Sequence, residues 1–152
     1  MRDKPLILVV DDEPDLLEIS SARLKASGYD VITAIDAETA YSKARKEHPD
    51  LVLLDIRMPG INGTEALLDF RNSADLKDTP VAFLTNLTVP WPGVGADNDK
   101  FAKELGAITL LDKSKDLERL PEIVEKLLKE VHKGELKHSI QDEVNKLADG
   151  ED

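Results

Sequence analysis

A doubly wound parallel α/β fold follows from three features of the chain. Short apolar runs recur along it, and each is followed by an amphipathic stretch with helical start and stop signals. The runs lack strict polar alternation, which implies burial on both faces, as crossover helices provide for a parallel sheet. At 152 residues and 16.8 kDa the chain suits one domain of ordinary size, able to bury a core without disulfides.

The first strand is Leu6 to Val10 (LILVV), followed by a helix from Pro14 to Ser27 that opens on a proline and closes at Gly28. Val31 to Ile35 (VITAI) precedes a helix from Ala37 to Glu47, with Asp36 placed to cap it. Leu51 to Leu54 (LVLL) precedes Thr64 to Ser73, and Val81 to Leu84 (VAFL) precedes Asp97 to Leu105. Ala107 to Asp112 (AITLLD) leads into a last helix reaching about Lys133, whose apolar stripe runs through Leu117, Leu120, Ile123, Val124, Leu127, Leu128 and Val131. Pro121 places a turn before that helix proper. Five strands thus alternate with five helices over residues 1–133. Residues 134–152 form a polar tail in which Leu136, Ile140, Val144 and Leu147 keep near-helical spacing, and a partly formed terminal helix is the expectation.

Composition narrows the function. Thirty-one acidic residues against twenty Lys plus Arg give a formal charge of -11, which repels phosphate backbones and anionic membranes; no nucleic acid and no membrane partner is expected. No apolar run approaches membrane-spanning length and no secretory segment opens the chain, so a cytoplasmic location is expected. Zero cysteines exclude thiolate metal sites, and His48, His132 and His138 share no ligand spacing.

In an open parallel sheet, ligands sit outside the carboxyl ends of the strands where the winding reverses. Strand one ends in Asp11 and Asp12, strand three in Asp55, strand four in Thr85 and strand five in Asp112 and Lys113. If the order is the flavodoxin-like 2-1-3-4-5, the first and third strands are neighbours and three carboxylates converge. Crowded carboxylates raise one another's pKa or recruit a hard divalent cation, and oxygen-only ligands suit Mg2+. A hydroxyl and an ammonium beside them would neutralise a tetrahedral dianion, and a carboxylate can accept a phosphoryl group. Asp55 is the acid placed for that role. Each position also has a plain structural reading: Asp11 and Asp12 as a helix cap, Lys113 as a salt-bridge residue, Thr85 as a strand-end hydroxyl.

The segments LVVDDEPD, LVLLDIRMPGINGTE, FLTN and LLDKS, in this order, resemble the receiver domain of bacterial response regulators, a likeness that runs from Pro5 to about Lys133. The resemblance implies that Asp12 is the main acidic Mg2+ ligand with Asp11 beside it. It makes Asp55 both phosphoacceptor and metal ligand, and gives the metal a further contact from the Arg57 carbonyl. Thr85 becomes the switch hydroxyl, and Lys113 the cation that pairs with the phosphoryl group. The partners implied are a sensor histidine kinase or phosphotransfer protein and a downstream protein target, with a homodimer through the fourth helix, fifth strand and last helix as a further expectation.

The sequence departs from the family pattern in several places. Ser114 follows Lys113 where the family usually has proline in a cis bond, and Leu110 stands where it often has an aromatic residue. The Thr85 to Lys113 segment is long, with NLTVPWPGVGADND around the start of the fourth helix, and Asn86 replaces a small residue. Trp91, the only tryptophan, lies between two prolines there, as a plug or a partner anchor. The expected function is a stand-alone phosphorylation switch without an output domain, which catalyses only its own aspartyl phosphorylation and dephosphorylation. A receiver-like scaffold that never turns over phosphate is the rival. A haloacid-dehalogenase-like phosphatase lacks its Asp-x-Asp after Val10, and a flavin binder lacks phosphate donors in the acidic first loop.

Overall fold

The computed structural model describes residues 3–58, 60–86 and 98–133, so Trp91, its loop and the tail over 134–152 lie outside the described residues. The elements run β1 (Leu6–Val10), α1 (Pro14–Ala26), β2 (Asp30–Ala34), α2 (Ala37–Glu47), β3 (Leu51–Leu54) and α3 (Gly63–Arg71). They continue with β4 (Val81–Thr85), α4 (Asn98–Leu105), β5 (Leu110–Asp112), a single turn α5 (Lys113–Asp116) and α6, a helix over residues 120–133.

All five strands are parallel, in the order β2-β1-β3-β4-β5, so the winding reverses between β1 and β3 as expected. Alternate strand residues feed two cores. Leu8, Val10, Val52, Leu54 and Phe83 pack with Ala40, Leu67, Phe70 and Ala102 on one face. Ile7, Val9, Leu51, Leu53 and Leu84 pack with Leu24, Leu120, Val124 and Leu127 on the other. β1, β3 and β4 are buried throughout, which is why their sequences read as unbroken apolar runs. β2, at an edge, is buried only at Ala34 and half-exposed elsewhere.

Two expectations about β5 and the helices need correction. The strand has three residues, not six, because the chain enters through single bonds from Ala107 N–H to Ala102 O and from Ile108 N–H to Val81 O before the ladder begins. The turn expected before the last helix is itself helical, α5, so the described residues hold six helical segments rather than five. Pro121 lies in the first turn of α6, where a missing N–H is tolerated.

Local chemistry sets the helix starts. Asp36 caps α2 by accepting from Thr39 N–H at 2.7 Å. Asn62 caps α3 reciprocally, accepting from Glu65 N–H at 3.0 Å while its amide donates to the Glu65 carboxylate at 3.3 Å. Gly63 is required by space: its N–H donates to Ile56 O at 2.7 Å, and a Cβ there would meet the Asp55 carbonyl and lie 2.7 Å from Ile56 Cα. The loop after β3 is thereby drawn tight against the backbone of Asp55.

Candidate functional site

The sheet ladder continues one residue past two strands and so fixes the backbone of the site. Asp11 N–H donates to Ala34 O at 3.0 Å, and Asp55 N–H donates to Val10 O at 3.0 Å. Their side chains emerge side by side because β1 and β3 are neighbours with Val10 paired to Leu54. Lys113 follows β5 directly and comes back across Thr85, whose strand lies between β3 and β5.

The centre is a buried charge cluster. Asp11, Asp55, Thr85 and Lys113 are each 5% exposed or less. The Lys113 ammonium pairs with Asp11, lies 3.1 Å from Asp55 Oδ2 and 3.7 Å from Glu13 Oε1. Thr85 donates its hydroxyl to Asp55. Asp11 uses its other oxygen to accept from Glu13 N–H at 2.9 Å, so the cap-like role read in the sequence and the ion pair occur together. Asp12 sits exposed at the rim.

Burial raises the Asp55 carboxyl above its ordinary value and the Asp11 charge raises it further, while Lys113 and the Thr85 hydroxyl pull it back only in part. Burial alone would lower Lys113, but its hydrogen bond to Asp11 and the charges of Asp55 and Asp11 outweigh that and hold the ammonium above its ordinary range. One cation thus serves several acids. Carboxylate oxygens of Asp11, Asp12, Glu13 and Asp55 all lie within 4.8 Å of one another, a spacing that oxygens about 2 Å from a common centre require. An all-oxygen set with surplus negative charge fits a hard divalent cation. The hollow beside it, about 210 Å³, is lined by Asp12, Glu13, Asp55, Arg57, Thr85, Asn86 and Lys113. A larger hollow of about 420 Å³ between α2 and α3 is lined by Glu38 and Asp69 with Ala37, Tyr41, Ile61 and Phe70 among others; it has two acids but no cation among its lining residues, and chemistry rather than volume selects the smaller one.

Every site residue named from the sequence, Asp11, Asp12, Asp55, Arg57, Thr85 and Lys113, borders this one place. Glu13 was missed; its signal was the unbroken acidic run after β1. Ser114 does not leave the turn after Lys113 loose. Asp112 accepts from Ser114 N–H at 2.8 Å and from its hydroxyl at 2.6 Å, closing α5. No peptide bond among the described residues is cis.

The model of the response regulator receiver domain matches residues 7–125. The chain belongs to that family. Among relatives of this receiver domain, the alkaline phosphatase synthesis transcriptional regulatory protein PhoP of Bacillus subtilis is 39% identical over 100 residues, covering 66% of this chain and 37% of that protein. The chain spans about a third of the length of the curated relatives it matches. The chemotaxis protein CheY4 of Vibrio cholerae superposes with a TM-score of 0.70 at 29% identity, covering 81% of this chain and 98% of that one. The Mn2+-bound form of response regulator Rcp1 superposes at 0.63 with 27% identity, covering 81% and 91%. The flavodoxin-like receiver fold expected from the sequence is therefore the fold observed.

These relatives are regulators and receiver domains rather than classical enzymes. The naming of PhoP bears on the expectation of no nucleic acid. The charge of -11 argues against this acidic domain itself gripping a phosphate backbone, but says nothing of an output that reaches DNA, and PhoP is named a transcriptional regulator. Among the described residues no helix is long and apolar enough to cross a membrane.

Proposed function

We propose that this receiver domain is a phosphorylation switch of a two-component system, with Asp55 as phosphoacceptor. The observation that carries the reading is the Asp55 carboxylate, buried at a strand end, with the Lys113 ammonium 3.1 Å away, the Thr85 hydroxyl on it and a surplus of acids beside it. Asp55 offers the nucleophilic oxygen; the phosphoryl group leaves the phosphoimidazole of a histidine kinase or phosphotransfer protein, or a small phosphodonor, as the new oxygen–phosphorus bond forms. Lys113 then pairs with the phosphoryl oxygens, and Thr85 turns its hydroxyl from the carboxylate to one of them. Asp12, Asp11 and Asp55, with the Arg57 carbonyl and Glu13 at the edge, would hold Mg2+. That ion would shield the carboxylates from one another and offset the charge of the transferring group.

In this reading the domain includes α6 as far as residue 133, past the matched region, and residues 134–152, polar in composition, lie outside the described residues. Its downstream partner is a protein or an attached module whose output touches transcription, in line with the naming of its relatives. A cytoplasmic location and a homodimer through α4, β5 and α6 belong to the same reading. The test is direct: incubate the protein with acetyl phosphate and Mg2+ and map the added mass. Label is expected at Asp55, with none in Asp55→Asn; undiminished labelling of that variant overturns the assignment.

A further inference from the structure

β5 leads directly into Lys113, yet it is a three-residue strand at the edge of the sheet, paired only with β4. Such a strand is the least secure place from which to aim a buried cation. Phe83 N–H donates to Thr109 O at 3.0 Å with Phe83 in register with Leu110, and in a parallel ladder of that register the amides of Leu110 and Asp112 face away from β4. Neither is left to solvent. Leu110 N–H donates to Asp99 Oδ1 at 3.0 Å, and Asp112 N–H donates to Asp116 Oδ2 at 2.8 Å.

The two carboxylates come from different directions. Asp99 projects from the first turn of α4 and also accepts the Thr109 hydroxyl at 2.9 Å, while its second oxygen pairs with Lys103 at 3.0 Å. Asp116 reaches back from the end of α5 as Asp112 reaches forward to Ser114, so the turn bearing Lys113 is closed reciprocally. The open edge is thus stopped at both outward amides by charge-assisted hydrogen bonds, which also block pairing with a foreign strand.

We infer that Asp99 and Asp116 are positioning residues for Lys113, clamping the outward amides of β5 so that the ammonium is held on Asp55 and so that a displacement of α4 is felt at the site. The route is backbone and carboxylate, and it needs no aromatic side chain at Leu110. Its affinity arm rests on the phosphoacceptor reading of Asp55; its other arm does not.

The experiment compares wild type with Asp99→Ala, Asp116→Ala, Asp99→Asn and Asp116→Asn, with Lys129→Ala on α6 as bystander. Three quantities are read: beryllofluoride affinity with Mg2+, the rate of reductive methylation of Lys113 by mass spectrometry, and amide exchange at Leu110 and Asp112. Loss of a hydrogen bond to a charged acceptor is expected to weaken beryllofluoride binding roughly tenfold in each alanine variant. Lys113 methylation and exchange of the two amides should speed up in step. The asparagine variants keep an oxygen acceptor and should recover most of the loss. Where an alanine variant does not fold, Thr109→Val removes one bond to Asp99 and should give the same pattern at smaller amplitude. Folded alanine variants that match wild type in both Lys113 methylation and affinity overturn the inference, and so does asparagine that rescues nothing. Equal beryllofluoride binding by Asp55→Asn would instead sink the phosphoacceptor reading, and the clamp would then be judged on methylation and exchange alone.

Discussion

Two cations hold this molecule together, Arg71 from a half-buried position and Lys113 from a buried one, and their partners differ in kind. Arg71, at the end of α3, donates five hydrogen bonds to neutral carbonyls: to Gly106 at 2.8 and 3.2 Å, Leu76 at 3.4 Å, Lys77 at 3.1 Å and Thr79 at 2.8 Å. Lys113 instead meets carboxylates, in Asp11, Asp55 and Glu13. Burial lowers the guanidinium pKa against a partial pull from Asp78, whereas the acids hold the ammonium above its ordinary value. The difference teaches what each is for. Arg71 spends its donors on groups that cannot change charge, and so it ties the α3 end, the turn before β4 and the α4–β5 turn into one piece. Lys113 faces carboxylates, whose charge changes with protonation and is offset by a bound cation, and so its surroundings respond to conditions where those of Arg71 do not.

The sharpest way to break the comparison is to remove each cation. Arg71→Ala takes the guanidinium from four carbonyls, of which Leu76 O keeps the Thr79 N–H, and a stability loss of about 3 kcal/mol in urea unfolding is expected, given bonds to a charged donor. Added Mg2+ should return none of that loss, because no carboxylate was uncovered. A loss below about 0.5 kcal/mol, the level of an ordinary surface substitution, would show that water replaces the guanidinium freely.

Lys113→Ala should cost less, about 2 kcal/mol, although it uncovers buried Asp11 and Asp55. Asp55 already holds its proton more tightly than usual, and the adjoining hollow of about 210 Å³ admits water, so both acids have an escape. Here Mg2+ should restore much of the loss, since the ion takes over the neutralising charge. Equal Mg2+ responses in the two variants would mean that the acids beside Lys113 do not form a cation site.

What the sequence revealed and hid follows the same divide. The site was legible because each buried strand is an apolar run that stops at a polar residue, so Asp11, Asp55 and Thr85 mark strand ends by themselves. Lys113 was legible from the LLDK run. The Arg71 nest was not, since its partners include a backbone carbonyl 35 residues away and no side-chain type signals a carbonyl. The clamp on the β5 edge was not legible for a related reason: Asp99 lies 11 residues from the Leu110 amide, in an ordinary helical first turn. A turn before the last helix was legible from Pro121, but the bonds among Asp112, Ser114 and Asp116 that close α5 were not, since no spacing rule pairs them.

The smallest expected effect is the pH dependence that Asp55 contributes, and it sharpens the comparison by isolating one protonation. The folded-state pKa of Asp55 lies above the ordinary value of 3.8, so between 3.8 and that raised value the folded chain keeps a proton that the unfolded chain has released. Stability contributed by this group therefore falls as pH rises through that window. Asp99 and Asp112 have the opposite sign, their pKa values being lowered from 3.8, so their contribution is present above 3.8 and is lost only as pH falls through their folded values. Lys113, raised from 10.5, contributes stability that is fully present below 10.5 and stays constant across the acid range. The windows separate. In metal-free buffer, the stability of wild type minus that of Asp55→Asn should decline as pH rises above 3.8, with a slope no steeper than about 1.4 kcal/mol per pH unit for one proton. Arg71→Ala should leave that slope untouched, since its hydrogen bonds go to carbonyls of Leu76, Lys77, Thr79 and Gly106 and none to Asp55. A difference curve that is flat or rising above 3.8 would mean that the pull of Lys113 on Asp55 exceeds the cost of burying it, and that the carboxylate is fully ionised before any cation arrives.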